Sequence, residues 1–338
     1  MFDLLGRQWP ALVAIVVSLV AAQGAEELRL GFFPNITHGQ ALYGRATGEF
    51  EKAIGAKIKW TAFNAGPTAI ESLFVDAIDA TYVGPGPTVN GYIKSRGAEF
   101  VVVAGAAMGG AGLVLRKDSD IESEKDFNGK VIATPQLGNT QDIAARTWFS
   151  ERGYKFREKG GRLSIVPLSN PDQFTMFKKK QIDGAWTIEP WLSRLELEAG
   201  GKLFLEEKEI WPEGKYVTTH LVVRRIFLQQ HPDTVRKLIE AHVATTKKLN
   251  EDPTETARIL NGQLKTETGK ALKDETISRA LGRVVFTWDP VPASLFKGAK
   301  EAHQIGYVRT EPKLDGIYAL GLLNEVLKEQ SLPTIAAK

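Results

Sequence analysis

The chain has 338 residues, of which 43% are hydrophobic, and this composition suits one or two ordinary globular cores. Its net charge is +3 with both signs interspersed, so nothing indicates a nucleic-acid surface. The chain contains no cysteine, which excludes disulfides, a cysteine nucleophile and a lipid anchor attached to cysteine.

The N-terminal residues have the pattern of a secretory signal peptide. Arg7 precedes an apolar run from Ala11 to Ala22, and the small residues of Ala22-Gln-Gly24 suit signal peptidase. We therefore expect residues 1–24 to be a signal peptide that is cleaved after Gly24, leaving a periplasmic protein. An uncleaved anchor is the alternative, although the apolar run is short for a membrane span.

From residue 28 to about residue 116, predicted strands alternate with predicted helices. The helices are recognised by apolar residues at i, i+3 and i+4. The predicted strands are 28–33, 57–63, 80–83 and 100–104. This alternation is typical of a mostly parallel sheet covered by helices, and it indicates an α/β fold.

A second alternating unit extends from about residue 117 to residue 215. Its predicted strands are 131–133, 163–167, 184–186 and 203–205. Residues 112–116 are predicted to leave the first unit and residues 216–223 to return to it. We therefore predict a discontinuous first lobe, 25–116 plus 217–338, whose C-terminal part is chiefly helical, and a second lobe, 117–216. Two crossover strands then form a hinge over a ligand cleft.

The most informative local pattern is the turn Gly138-Asn-Thr140. It follows the predicted strand Val131–Ala133 and precedes a helix that has Ala144 and Trp148 on one face. Free N–H groups at the start of such a helix favour an oxyanion without the help of a lysine. An ordinary N-cap at a strand–helix corner is the alternative.

Similar corners follow the other predicted strands, and ligands of open α/β sheets bind beyond the carboxyl ends of the strands. In the first lobe these corners contain the pair Asn35 and His38, the turn Gly66-Pro-Thr68, and the turn Gly86-Pro87. In the second lobe they contain Gly138 to Gln141 and the segment 186–191. Together they outline a cleft lined by N–H groups and small hydroxyls, which suits a small anion or a polar organic ligand.

Three side chains at these corners have two interpretations each. His38 is either a donor to an anion or a surface or capping histidine. Glu189 either receives an ammonium or hydroxyl group of the ligand or caps a loop. Trp186 either forms a wall beside an alkyl chain or packs in the core.

The order of these corners after a signal peptide resembles the ABC-transporter substrate-binding proteins of the nitrate/sulfonate/bicarbonate (taurine-type) family. The resemblance covers nearly the whole mature chain. It rests on segments 31–38, 65–67, 78–87, 138–140, 182–191 and 211–220. It implies a type II periplasmic-binding-protein fold that closes on its ligand and delivers it to an inner-membrane permease and its ATPase. Family ligand contacts would fall on Asn35, Pro67, Gly86, Pro87, Gly138, Asn139 and Thr140.

We therefore predict a solute-binding protein for a small anion or zwitterion, such as a sulfonate, nitrate or bicarbonate. It is expected to be a monomer and to need no cofactor, metal or nucleic acid. Many sulfonate binders have Trp-Asp-Pro where this chain has Ile188-Glu-Pro190, so the sequence leaves the ligand open. The predicted ligand-binding residues are Asn35, His38, Gly66, Pro67, Thr68, Gly86, Pro87, Gly138, Asn139, Thr140, Gln141, Trp186 and Glu189.

Two other classes of function remain as alternatives. The first is an enzyme on the same fold, similar to the synthase of the thiamine pyrimidine precursor or to a lyase. The chain lacks H-E-x-x-H, G-x-S-x-G and P-loop motifs, and its five histidines show no metal-ligand spacing. The second is a periplasmic protein that senses a ligand for a membrane receptor.

Overall fold

A computed structural model describes residues 27–336 of the chain. The predicted signal peptide and its cleavage point lie outside these residues. The described part is an α/β structure with two separate β-sheets, each covered by helices. This architecture agrees with the predicted fold class.

The first sheet has six strands in the order β2-β1-β3-β10-β4-β11. Strands β1 and β3 alternate little between buried and exposed residues because helices cover both faces of the sheet, as the apolar sequence runs predict. The strands are β1 (Glu27–Phe32), β2 (Lys57–Ala62), β3 (Ala80–Val83), β4 (Phe100–Gly109), β10 (Val217–Arg224) and β11 (Val284–Phe286).

The second sheet has five strands in the order β7-β6-β8-β5-β9. Every residue of its central strand β8 is buried. The strands are β5 (Ala111–Arg116), β6 (Val131–Thr134), β7 (Ser164–Pro167), β8 (Gly184–Ile188) and β9 (Gly201–Glu206). Residues 111–116, predicted to belong to the first lobe, instead pair with β8 and β9 in this sheet. We therefore propose that the first lobe ends near Gly110.

The chain crosses between the sheets twice. Strand β4 continues into β5 through Gly109 and Gly110, both of which have φ near +75°, a conformation that glycine adopts without strain. Residues 207–216 lead back into β10. Both crossover strands, β5 and β10, run antiparallel to their neighbours. The sheets are therefore more mixed than the mostly parallel arrangement that the alternation predicts.

Helices surround both sheets. Several begin with proline in the first turn, where the backbone N–H groups have no acceptor within the helix, so the missing N–H of proline costs no hydrogen bond. After β10 the chain is chiefly helical as predicted, apart from the short edge strand β11. The helices are α1 (Gly39–Thr47), α2 (Glu49–Ile54), α3 (Gly66–Phe74), α4 (Pro85–Lys94), α5 (Thr140–Glu151), α6 (Asn170–Lys178), α7 (Trp191–Glu198), α8 (Arg225–Gln230), α9 (Pro232–Glu251), α10 (Pro253–Thr268), α11 (Asp274–Leu281), α12 (Pro292–Gln304) and α13 (Gly321–Glu329).

Each sheet has its own hydrophobic clusters, and one smaller cluster joins the lobes. In that cluster Ile143 of α5 packs against Ala302 and Val308 of the first lobe. Among residues 27–336, no helix combines the length and the apolar character needed to cross a bilayer. The two lobes therefore meet both at the crossover segments and through an apolar contact beyond them.

Candidate ligand-binding cleft

A polar pocket lies between the lobes, next to the carboxyl ends of β1, β2, β3, β6, β7 and β8. None of the side chains that line it carries a formal charge, because its polar groups are amides, hydroxyls and one neutral imidazole. The lining residues are Phe33, Asn35, His38, Asn64, Gly84, Pro135, Asn139, Thr140, Gln141, Asn170, Ile188 and Thr218. The arrangement suits a small ligand that needs many hydrogen bonds and no ion pair.

The start of α5 offers unused donors to this pocket. Asn139 occupies the N-cap position, yet its side chain makes no capping hydrogen bond. The backbone N–H groups of Thr140 and Gln141 have no acceptor among residues 27–336. Free N–H groups at a helix N-terminus, together with the helix dipole, favour a negative group there. The Asn139 side chain therefore does not act as the ordinary N-cap that the sequence left as the alternative.

A buried carboxylate beneath the turn holds it in place. Asp142 accepts hydrogen bonds from the Thr134 hydroxyl at 2.8 Å and from the Gly138 N–H at 2.9 Å. Arg146, one helical turn later, contacts both carboxylate oxygens of Asp142 at 3.1 Å. This arginine compensates the charge of Asp142, so the turn keeps its shape without a net negative charge under the pocket.

His38 is an uncharged donor to the pocket. Its ring is buried and stacks on Phe33, and its Nδ1 accepts the Phe33 N–H at 3.2 Å. Nε2 therefore carries the proton in the neutral tautomer, and it has no partner among the described residues. Burial lowers the pKa of His38 to about 3. The ring thus stays neutral near pH 7 and can donate one hydrogen bond to a ligand.

Several buried amides of the pocket have hydrogen-bonding groups without protein partners. The side chains of Asn35 and Gln141 are less than a tenth exposed, and neither makes a hydrogen bond within residues 27–336. Asn170 accepts the Thr187 hydroxyl at 3.1 Å through its oxygen, which leaves its NH₂ group free. Buried polar groups in proteins are almost always satisfied. These groups instead reach the free space of the pocket, and their convergence there indicates a site for a ligand or for ordered water.

The lobes touch across this pocket. The Gly86 N–H donates to the Thr140 hydroxyl oxygen at 3.2 Å, and the Ile36 N–H donates to the Glu189 carbonyl at 3.3 Å. The free space in the pocket admits about one or two water molecules. The structure is therefore a closed form, and a ligand larger than a small ion needs the lobes to separate before it enters.

Five of the predicted ligand-binding residues line the pocket together: Asn35, His38, Asn139, Thr140 and Gln141. Gly86 reaches it through its bond to Thr140. Another group of predicted residues lies behind this surface and does not line the pocket. Gly66 packs against Pro87, with only 2.3 Å between the Pro87 ring and the place where a Cβ of Gly66 would be. Pro67 and Thr68 follow on α3, and Thr68 is exposed. These corners join helices to each other rather than presenting donors to the cleft.

Three further predicted residues, Gly138, Trp186 and Glu189, support the fold and do not line the pocket. Gly138, at φ +75°, leaves no room for a side chain, because a Cβ there would lie 1.6 Å from the Tyr307 hydroxyl. Trp186 is not a wall of the cleft: it is fully buried in the core of the second lobe, where its Nε1 donates to Glu207 at 2.7 Å. It lies two residues before Ile188, which lines the pocket at the end of β8, and only the fold decides that this part of the strand packs into the core.

Glu189 does not line the pocket either. Its fully buried carboxylate accepts hydrogen bonds from Ser193 N–H and Oγ, and Arg283 contacts it at 3.1 Å. Burial raises the pKa of Glu189, while Ser193 and Arg283 act in the opposite direction. Glu189 thus caps the start of α7, which agrees with the loop-capping interpretation rather than with a contact to a ligand ammonium.

Sequence reasoning missed three polar residues of the pocket. Asn64 comes two residues after the end of β2 and Asn170 three residues after the end of β7, so inspecting every strand end by the same rule would have found both. Thr218 lies inside the crossover strand β10 and donates to the Ala107 carbonyl at 3.1 Å. No local pattern marks it, because it joins the pocket only when the chain returns to the first sheet.

Comparisons with known proteins relate this chain to a family and to proteins named for what they bind. The model of the NMT1-like family matches residues 21–261. A Bacillus subtilis (strain 168) protein, named provisionally as an aliphatic sulfonates-binding protein, is 25% identical over 68% of this chain and 70% of its own length. The taurine-binding periplasmic protein of Escherichia coli (strain K12) is 24% identical over 59% of each chain.

A solved structure is similar in fold. The alkanesulfonate-binding protein SsuA from Xanthomonas axonopodis pv. citri, bound to MOPS, superposes with a TM-score of 0.73 at 19% identity. The match covers 88% of this chain and 100% of that one. Among residues 27–336, no group of three or more His, Cys, Asp or Glu side chains has a metal-binding arrangement.

Proposed function

This chain belongs to the NMT1-like family, and we propose that it is a periplasmic solute-binding protein that delivers a small anion or zwitterion to an ABC importer. Both reported relatives are named as binding proteins rather than enzymes, and their names refer to sulfonates or taurine. The predicted signal peptide supports export to the periplasm. The two-lobed fold supports a mechanism in which the lobes close over the ligand.

The observation that carries this proposal is the set of unsatisfied donors between the lobes. The free N–H groups of Thr140 and Gln141, the Nε2–H of His38 and the amides of Asn35 and Asn139 converge on one pocket. An oxyanion accepts hydrogen bonds from all of them without needing a lysine or arginine. Because the donors come from both lobes, the bound anion stabilises the closed form relative to the open one.

The proposal is tested by a ligand screen on the purified mature protein. Ethanesulfonate, taurine, nitrate, bicarbonate and the pyrimidine precursor of thiamine are each added while the melting temperature is recorded. At a hundredfold excess over Kd, a ligand stabilises the native state by about 2.7 kcal/mol, which raises the melting temperature measurably. We expect at least one of the first four compounds to do so, with Kd then determined by calorimetry.

A pair of asparagine variants links the effect to the cleft. Asn139→Ala removes a pocket amide that makes no cap bond, so it should reduce affinity while leaving the ligand-free melting temperature nearly unchanged. Asn128→Ala removes an exposed amide of the same lobe and serves as the control. The proposal fails if none of the small anions stabilises the protein, or if the two variants bind equally well.

A further inference from the structure

A second cavity lies between the lobes, adjacent to the polar pocket, and the two spaces share Thr140 as a wall. Its lining is chiefly apolar and comes from both lobes, with Val89, Leu295 and Ala302 on one side and Ile143 on the other. Its free space admits about two water molecules. Only a small group, such as the end of a short chain, can therefore enter the closed form.

One wall of this cavity carries a buried carboxyl group that has no direct cationic partner among residues 27–336, and Lys297 acts on it only from a distance. Glu207 is only 1% exposed, and its two oxygens accept the Nε1–H of Trp186 at 2.7 Å and of Trp211 at 3.4 Å. No lysine, arginine or histidine forms an ion pair with it among residues 27–336. A buried carboxylate is costly unless a positive charge lies nearby, and burial accordingly raises the pKa of Glu207 to about 7.

A second carboxyl group lines the same cavity on α12. Glu301 pairs with Lys297 four residues earlier, and the Lys297 ammonium also lies 4.2 Å from the centre of the Trp211 ring. Tyr216 stacks against Trp211, with ring centroids 5.4 Å apart. The cavity therefore has two carboxyl groups and one lysine, and its aromatic wall already holds a cation at a ring face. When both carboxyl groups are ionised, one negative charge remains for a positive group to balance.

We propose that Glu207 and Glu301 form an ammonium subsite. This subsite selects ligands in which a short chain joins an oxyanion head to a protonated amine. This inference rests on the proposed function, since it places the head among the donors of the polar pocket. The chain of the ligand passes beside Thr140, and its ammonium group enters the apolar cavity next to Glu207. An ammonium there favours the ionised form of Glu207 and balances its charge.

The test compares two probes of equal length, propane-1-sulfonate and 3-aminopropane-1-sulfonate, which differ in the ammonium group. Calorimetry at pH 7.5 should show that the wild-type protein binds the amino compound at least tenfold more tightly. Glu207→Gln keeps the size of the side chain and one oxygen that can accept the short hydrogen bond from Trp186, but it removes the charge and replaces the second acceptor with an NH₂ group. The variant should bind both probes within about threefold of each other, because its affinity falls for the amino compound alone.

Glu151→Gln is the matched control. Glu151 is exposed near the end of α5 and its charge acts on Glu301, but it does not line the cavity. The control should keep the tenfold preference, because a subsite requires contact and not merely a negative field. Loss of the preference in Glu151→Gln as well would contradict the subsite.

A second variant covers the case in which Glu207→Gln does not fold. Gly298 of α12 lines the cavity, and the nearest atom to the place of its missing Cβ is 3.9 Å away on Trp211. The methyl group of Gly298→Ala therefore fits and narrows the cavity, and this variant should reduce the preference for the amino compound; an unchanged preference would contradict the subsite.

The outcomes separate the two proposals. If wild type binds both probes equally, or if Glu207→Gln weakens both to the same extent, the ammonium subsite is wrong and the solute-binding role stands. If neither probe nor any compound of the ligand screen binds, the proposed function itself fails.

Discussion

The hydrogen bond between Gly86 and Thr140 gives a sharp test of lobe closure. The Thr140 hydroxyl oxygen accepts the Gly86 N–H at 3.2 Å across the cleft, so this bond exists only while the lobes are closed. Thr140→Val keeps the branched shape at the first position of α5 but removes the acceptor. The Gly86 N–H then loses its partner in the closed form, while an open form keeps both groups in water.

Leaving one partly buried donor unsatisfied costs about 1–2 kcal/mol. If ligand binding requires closure, this cost appears in the affinity as a loss of roughly 5–30-fold. The melting temperature of the ligand-free protein should change little, because opening of the lobes relieves the cost. Calorimetry with the sulfonate that stabilises wild type most measures the first quantity, and a thermal scan without ligand measures the second.

Thr140→Ser provides the matched control, since it keeps a hydroxyl at the same position and should bind within about threefold of wild type. The reasoning is refuted if Thr140→Val binds as tightly as wild type. It is also refuted if the ligand-free variant melts much earlier while its affinity is intact, because the hydroxyl would then support the fold of α5 and not the contact between the lobes.

Three other expectations concern stability, close packing and export. Burial lowers the pKa of His38 to about 3, whereas the unfolded side chain titrates near 6.5, so the unfolded state binds more protons between these pH values. The free energy of unfolding should therefore fall by about 1.4 kcal/mol per pH unit as pH drops through this range. His38→Gln should reduce that slope in denaturant titrations. Gly138→Ala should lower the free energy of unfolding by at least about 1 kcal/mol because of the positive φ, and by more because the new methyl group meets the Tyr307 hydroxyl. The same substitution should lower the melting temperature less when it is made in a Tyr307→Ala variant. The intact mass of protein from a periplasmic extract should correspond to a start at Ala25, whereas a mass that includes Met1 in the membrane fraction would contradict cleavage.

Much of the architecture can be predicted from the sequence because buried strands and amphipathic helices are local patterns. Strand β3 coincides with the prediction at 80–83, and β1, β2, β6 and β7 differ from it by a residue at their ends. The turn at Asn139 and Thr140 is similarly predictable, since a strand, a glycine at positive φ and a helix start follow each other directly. Local chemistry thus identifies a corner that leaves N–H groups free at a helix start.

Only the tertiary structure decides which residues share the pocket. Trp186 and Thr187 are neighbours on β8 and point to opposite faces: Trp186 enters the core beside Glu207, and Thr187 holds Asn170 at the pocket. Their order in the sequence does not reveal which face is the core. The path of the chain between the two sheets likewise decides where the crossover strands lie. This path places Thr218 in the cleft, and it places residues 111–116 in the second sheet. Contacts of this kind join residues far apart in the chain, and their identity depends on how helices and sheets pack rather than on any local pattern.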